Sequence, residues 1–511
     1  MGLAGGTGGS RGGQRRRLGL CPGAARPVAG ACHRGGAGVP VGSPAVAGQS
    51  TGAGPTSDHG GEGVSQAPRR VGIIGGGVAG LTAAYRLLQR GHEVHVFEAG
   101  DSWGGLVRTF DVGGGRLECF YHHIFTTDTT IVALLRELGL SPRLVWRDSK
   151  VGIYYQGRLY PFVTPIDLLR FTPVGLVDRV RLGLMGLYLR RQSDGQRFQS
   201  VTAREWVSRF AGERNWQVVW GPLFRGKFGD MGDQVSMIWL WNKVRLRFSS
   251  RRGGPLQKEV LGYLLGSFGL MVDELVARVR ALGGHLHAST PVERVAVDDG
   301  RATGLRLASG TFVPCDAVVA TVANRIFLRL VPELPEDYAA LCQGIPYQDA
   351  LCMVLALRRP LSRFYWLNIS DRSFPFLALV EHTNFIGPEN YGGHHVLYIS
   401  NYLEKGHPYF AMSEEELWAE YRPYLALINP EFDDSWVVGR WVFRGSDAQP
   451  VFTVENAGKV PPHRAPITGL YLANMSQIFP EDRGQNYSIR LGEQVASLVA
   501  QDLASVSAYV I

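Results

Sequence analysis

The chain has 511 residues, 45% apolar and 19% charged, which suits a globular protein of more than one domain. The net charge is +8, but residues 1–70 hold eight Arg against Asp58 and Glu62, a net of +6. The remaining +2 (8 minus 6) argues against a nucleic-acid-binding body, and no run of eighteen apolar residues without charges marks a membrane span.

Residues 1–68 contain 20 glycines and almost no large apolar side chains, so they cannot bury enough surface to fold. The segment bears Arg and lacks acids up to Asp58. It reads as a disordered tail, a translation start placed too early, or an organelle transit peptide. The six cysteines, at 21, 32, 119, 315, 342 and 352, form no C-x-x-C. Reduced thiols in a cytoplasmic protein are expected, with no metal site.

Val71–Ile74 is a short apolar run that fits a buried strand. Gly75, Gly77 and Gly80 follow as G-x-G-x-x-G, and Ala79–Leu88 is rich in helix formers. Gly91 stands where a helix C-cap would, and His92–Phe97 alternates as a second strand ending at Glu98. Each part has a job at a dinucleotide site. The glycines let backbone approach a pyrophosphate, the helix N-terminus attracts it, and the acid about twenty residues on accepts hydrogen bonds from ribose. Val78, Ala79 and Ala99 flank these positions.

Next comes Trp103-Gly104-Gly105-Leu106-Val107-Arg108-Thr109. A second glycine pair followed by an arginine, just past the ribose acid, resembles the flavin amine oxidase and protoporphyrinogen oxidase-like superfamily. The resemblance implies non-covalent FAD, with Gly104, Gly105, Leu106 and Arg108 near its phosphates and ribityl chain. It also places Arg116–Phe125 beside the flavin ring, making His122 and His123 candidate catalytic residues; packed polar core positions are the alternative. His123-Ile124-Phe125 is also similar to UDP-galactopyranose mutase, although the mutase's following histidine is Thr126 here.

Asp128 is expected to cap a helix with Ile131, Leu134, Leu135 and Leu138 on one face. Tyr154–Pro161 reads as a hairpin around Gly157. Leu168–Arg191 is helical, either facing the core of a substrate domain or lying on a membrane surface. Val201–Phe210, Trp216–Phe224 and Ser236–Arg245 read as helices, and Gly226–Asp230 as a loop. Lys227 and Lys243 are expected to be solvated.

A helix with Val272, Leu275, Val276, Val279 and Leu282 inside precedes strands at 285–286 and 290–295. The resemblance assigns the Val292 backbone to the adenine. Asp316–Thr321 is another buried strand, residues 326–450 alternate as antiparallel strands, and Ser413–Glu416 starts a capped helix. Gly469–Asn474 is a strand, and Pro480–Arg490 leads into a last helix. By resemblance this is the closing flavin motif, with Asn474 by the phosphates and Asn486, Tyr487 and Ser488 by the ring.

The expected fold is α/β. A Rossmann-like FAD-binding domain in three segments (69–150, 256–325, 456–511) carries an inserted α+β substrate domain (151–255, 326–455). The resemblance implies an FAD-dependent oxidoreductase that takes a hydride from a small organic substrate onto flavin N5. The alternatives are a mutase-like sugar-nucleotide isomerase and a flavin-fold protein without turnover.

Overall fold

In the computed structural model, which describes residues 68–249 and 258–508, strand Arg70–Ile74 is the centre of a five-stranded parallel sheet. Glu93–Phe97 and Ala317–Ala320 flank it, with His285–His287 and Leu470–Leu472 at the edges. A parallel sheet is covered on both faces, so its strands read as continuous apolar runs; all of Ala317–Ala320 is buried. The expectations for the first 67 residues, including Cys21 and Cys32, lie outside the described residues.

One face of this sheet is covered by helix Val78–Leu88, which packs on helices Gly269–Ala281 and Gln485–Ala508. A Cβ on Gly492 would lie 2.5 Å from Ala79 O, so the glycine permits the close helix crossing. The other face meets an antiparallel meander of Val292–Asp298, Arg301–Leu307 and Phe312–Pro314. Here a Cβ on Gly72 would lie 2.8 Å from Cys315 Sγ and 2.9 Å from Leu305.

A second sheet of seven strands runs 437–450, 347–357, 395–403, 378–381, 366–369, 151–155 and 158–161. It is antiparallel except where Trp366–Ile369 lies parallel to Val151–Tyr155. The hairpin around Gly157 thus extends the floor built by the later strands. A helical layer, 165–249, packs around Phe198, Phe224, Trp239 and Leu240.

Several local expectations change. Gly226–Phe228 is the end of helix Gly221–Phe228, and the turn begins only at Gly229. Trp216–Trp220 is a π-helical turn before that helix. Leu168–Arg191 is two helices, Pro165–Leu169 and Leu176–Arg191, split at Thr172-Pro173. Proline lacks the N–H a continuing helix needs and restricts the residue before it. Leu282 ends its helix 46% exposed and not on the inner face. Asp128 stands at the N-cap, yet its carboxylate accepts from Phe125 N (2.8 Å). The helix N–H at Ile131 is instead accepted by Asn486 Oδ1 (3.0 Å).

Glu93, His95 and His285, which no sequence spacing joins, meet where two parallel strands align, their ligand atoms within 4.8 Å of one another. Glu93 Oε1 already accepts from Arg70 and meets His95 Nε2, both at 2.8 Å. Glu93 and His95 are therefore already engaged with protein partners.

Candidate active site

The two glycine motifs, far apart in sequence, come together in space. Gly104 N donates to Gly76 O (2.9 Å), and a Cβ on Gly105 would lie 3.4 Å from Gly77 Cα. Gly75 has φ +106°, so the strand can turn sharply into the helix. A Cβ on Gly80 would lie 2.0 Å from Gly75 O, whereas one on Gly77 would meet nothing within 4 Å. Open space at Gly77, above the N-terminus of helix Val78–Leu88, is what a diphosphate requires.

Glu98 closes the same turn, accepting from Gly76 N (2.7 Å) and Gly100 N (2.8 Å). Thr290 N donates to Glu98 O and Ser289 N to Gly100 O, both at 2.8 Å, which brings Val292 to this end. Leu106 is half-buried, Ala99 exposed, and Arg108 donates to Arg444 O (3.1 Å). Asn474 lies close to the turn, but its side chain is fully engaged. It donates to Val322 O and Asn324 Oδ1, both 2.8 Å, and accepts from Ser476 N and Oγ. Its backbone N–H is taken as well, donating to Gln477 Oε1 (2.9 Å), so Asn474 offers no free donor to a phosphate.

The other end of the site is a cavity of about 230 Å³. His122, His123 and Tyr487 line it, and Asn486 and Ser488 follow on the helix start. Asn486 uses its side-chain oxygen on Ile131 N, and Ser488 Oγ donates to Gly484 O (3.3 Å). Gln485, which the sequence reading did not single out, is 5% exposed on the cavity wall, and neither its Nε2 nor its Oε1 has a partner. A buried, unpaired amide is costly. At the N-terminus of the last helix it offers a donor and an acceptor that match the polar pyrimidine edge of a flavin. The orphan amide and the open glycine cradle fit FAD.

The charged floor of the cavity is the main surprise. Lys227, expected in solvent, is 8% exposed and reaches Asp482 at 3.2 Å; Lys243 Nζ reaches the same oxygen at 2.7 Å. Beside them Arg483 donates to Tyr402 OH (2.5 Å) and Gln449 Oε1 (3.2 Å). Burial pushes the Asp482 carboxyl up, but Lys227, Lys243 and Arg483 overcome it and hold the group well below the usual carboxylate range. Burial also lowers Lys243. Tyr402 is pulled below an ordinary phenol because Arg483 and Lys227 outweigh its burial.

Both histidines stay neutral at pH 7. Burial, then Arg483, lowers His122 to about 4; burial, then Lys243 and Arg247, lowers His123 to about 3. His122 Nδ1 lies 2.6 Å from Phe120 O, which can only accept, so Nδ1 carries the proton and Nε2 keeps a lone pair. His123 Nδ1 is held by Tyr365 OH at 3.0 Å.

A family model described as flavin containing amine oxidoreductase matches residues 78–480. The chain is 30% identical over 233 residues to coproporphyrinogen III oxidase from Mycobacterium leprae (strain TN), a match covering 41% of this chain. It spans half the length of that curated relative (50%). A protoporphyrinogen oxidase-like protein from Exiguobacterium sp. 255-15 superposes with TM-score 0.68 at 19% identity, covering 86% of this chain and 99% of its own. Reduced UDP-galactopyranose mutase superposes with TM-score 0.67 at 18% identity, covering 85% of this chain and 96% of its own. At these identities the two superpositions show a shared fold and nothing finer.

Proposed function

This chain belongs to the flavin-containing amine oxidoreductase family, with FAD as its cofactor, and on that premise we propose that it oxidises an organic acid with an apolar body. When bound, FAD supplies the hydride acceptor at its N5. Gly75, Gly77, Gly80, Gly104 and Gly105 would cradle its diphosphate and Glu98 its ribose. Gln485 and Tyr487 would border the ring. His122, neutral and with its Nε2 lone pair, would accept a hydrogen bond from the substrate, while burial and Arg483 disfavour its carrying a proton away.

The observation that carries the choice of an acid is the Lys227–Asp482–Lys243 group. Lys227, Lys243, Arg247 and Arg483 line the cavity against Asp482 and Asp128, with Arg247 also 4.0 Å from Glu259, and burial pushes the Asp128 carboxyl up to about 6. A protonated amine would enter against that excess of cations. Two unit charges of like sign about 6 Å apart repel by roughly 3 kcal/mol at an effective dielectric of about 20. A carboxylate is attracted by a similar amount, and Lys243 keeps N–H donors beyond the one it gives Asp482. Ile153, Phe162, Val219, Trp220 and Leu223 supply the apolar wall. Coproporphyrinogen III, in the name of the M. leprae relative, is an acid of this kind.

Lys243→Met is expected to raise KM for an acidic substrate by about 10–100-fold, the value of one charge-assisted hydrogen bond. Steady-state kinetics with an acid and with its methyl ester check this. An unchanged KM for the acid, or an equal rise for the ester, would remove Lys243 from substrate recognition.

A further inference from the structure

Of the thirteen large apolar side chains that are exposed among the described residues, eight lie between Ile166 and Tyr188. Scattered exposed apolar residues need no explanation, but a contiguous patch marks a surface that something covers. Helix Leu176–Arg191 buries Leu182, Met185 and Leu189 on one side. On the other, Leu176 is 63% exposed, Val177 72% and Leu184 60%, with Val180 and Leu187 between and beyond them. Their spacing of three to four residues makes one stripe. The neighbouring helix Pro165–Leu169 adds exposed Ile166 and Leu169.

The charges near the stripe are drawn away from it. Arg179 donates to Val174 O (2.9 Å) and Leu169 O (2.7 Å). Arg181 donates to Phe210 O (3.3 Å) and Arg209 O (3.2 Å). Exposed Arg170, Arg190 and Arg191 stand beyond the two ends, while Asp167 is occupied capping its own helix. An apolar stripe framed by arginines has the chemistry of a helix lying in a membrane interface. The apolar side enters the acyl boundary, and the cations meet anionic headgroups. No helix among the described residues is long and apolar enough to cross a membrane, so the contact would be peripheral.

We propose that helices Pro165–Leu169 and Leu176–Arg191 dock this protein on an anionic phospholipid surface. The docking stands on the exposed stripe and the arginines that frame it, independently of the function proposed above.

The test is co-sedimentation of the full-length FAD-loaded protein with vesicles of phosphatidylcholine alone and of phosphatidylcholine with phosphatidylglycerol. Binding is expected on the anionic vesicles, weaker in high salt and on the neutral ones. The double variant Val180→Glu with Leu184→Glu should lower it by on the order of tenfold or more, since both side chains would carry charge into the acyl boundary. Flavin content of the same samples reports folding and cofactor binding, so failure of the membrane contact and failure of the flavoprotein reading are told apart. No vesicle binding by the wild type would overturn the proposal. So would a concentration-dependent dimer, seen by light scattering, that the double variant abolishes; the stripe would then belong to a second copy.

Discussion

Asp482→Ala is expected to destabilise the folded protein by about 3–5 kcal/mol, because it leaves two buried lysines facing each other without their anion. Lys227 and Asp482 side chains are each only 10% exposed, and Lys243 is 24% exposed, so water cannot replace the lost carboxylate cheaply. The loss is a large part of the 5–15 kcal/mol that holds a typical domain folded. Removing all three charges together, as Lys227→Met, Asp482→Leu and Lys243→Met, should cost much less than the single change, because no uncompensated charge remains. The pH dependence has a definite sign. The folded carboxyl lies below its ordinary 3.8, so its contribution is complete above that value and fades as the pH falls through the lower folded value. The gap between wild type and Asp482→Ala should therefore be flat from about pH 5 to 8 and narrow only in stronger acid. Urea denaturation of both proteins across this range is the check. A change below about 1 kcal/mol would mean that the cluster is open to solvent, as ordinary surface ion pairs are.

Gly77→Val should cost the apoprotein no more than about 1 kcal/mol, the loss of glycine at the N-cap, and yet weaken FAD binding by about 10–100-fold, the effect of 1–3 kcal/mol of steric intrusion. Gly77 has φ −73° and ψ 178°, a conformation open to any residue, and a Cβ there meets no protein atom within 4 Å. Only a ligand lying over the helix N-terminus would feel the added side chain. Gly80 makes the contrast, since its Cβ would press on Gly75 O at 2.0 Å and disturb the fold itself. FAD titration followed by flavin fluorescence, with thermal unfolding of the apoproteins, separates the two effects. Unchanged FAD affinity in Gly77→Val would place the diphosphate elsewhere.

The Arg70–Glu98 unit was readable in the sequence because its structure is local. Strand, glycine turn, helix and acid lie in one short stretch, where Gly75 takes a positive φ and Gly80 allows a close approach to Gly75 O. The cavity end was not readable, since its floor joins a helix at Lys227, another at Lys243, a strand at Tyr402 and a loop at Asp482. No spacing rule links these four. The chain uses six lysines against 47 arginines, and two of the six stand on one buried carboxylate, but Lys150, Lys258 and Lys459 are exposed, so the scarcity of lysine did not single the pair out. The exposed stripe on Leu176–Arg191 was half visible. Its apolar residues ring the whole helix, which sequence alone reads as burial, and only the packed structure shows which side is left uncovered.

The central claim is that a cation-lined cavity beside FAD oxidises acids and not amines. Its most direct test is anaerobic mixing of the FAD-loaded protein with matched compounds while the flavin absorbance is followed. One set would be carboxylic acids that carry no basic amine, including a porphyrinogen acid. The other would be cationic amines, including putrescine. Bleaching by one or more acids, with none by the amines, is the predicted result. Bleaching by the amines would contradict the charge argument. Bleaching by NADPH alone, with every acid and amine inert, would contradict the oxidase reading and favour a mutase-like use of reduced flavin.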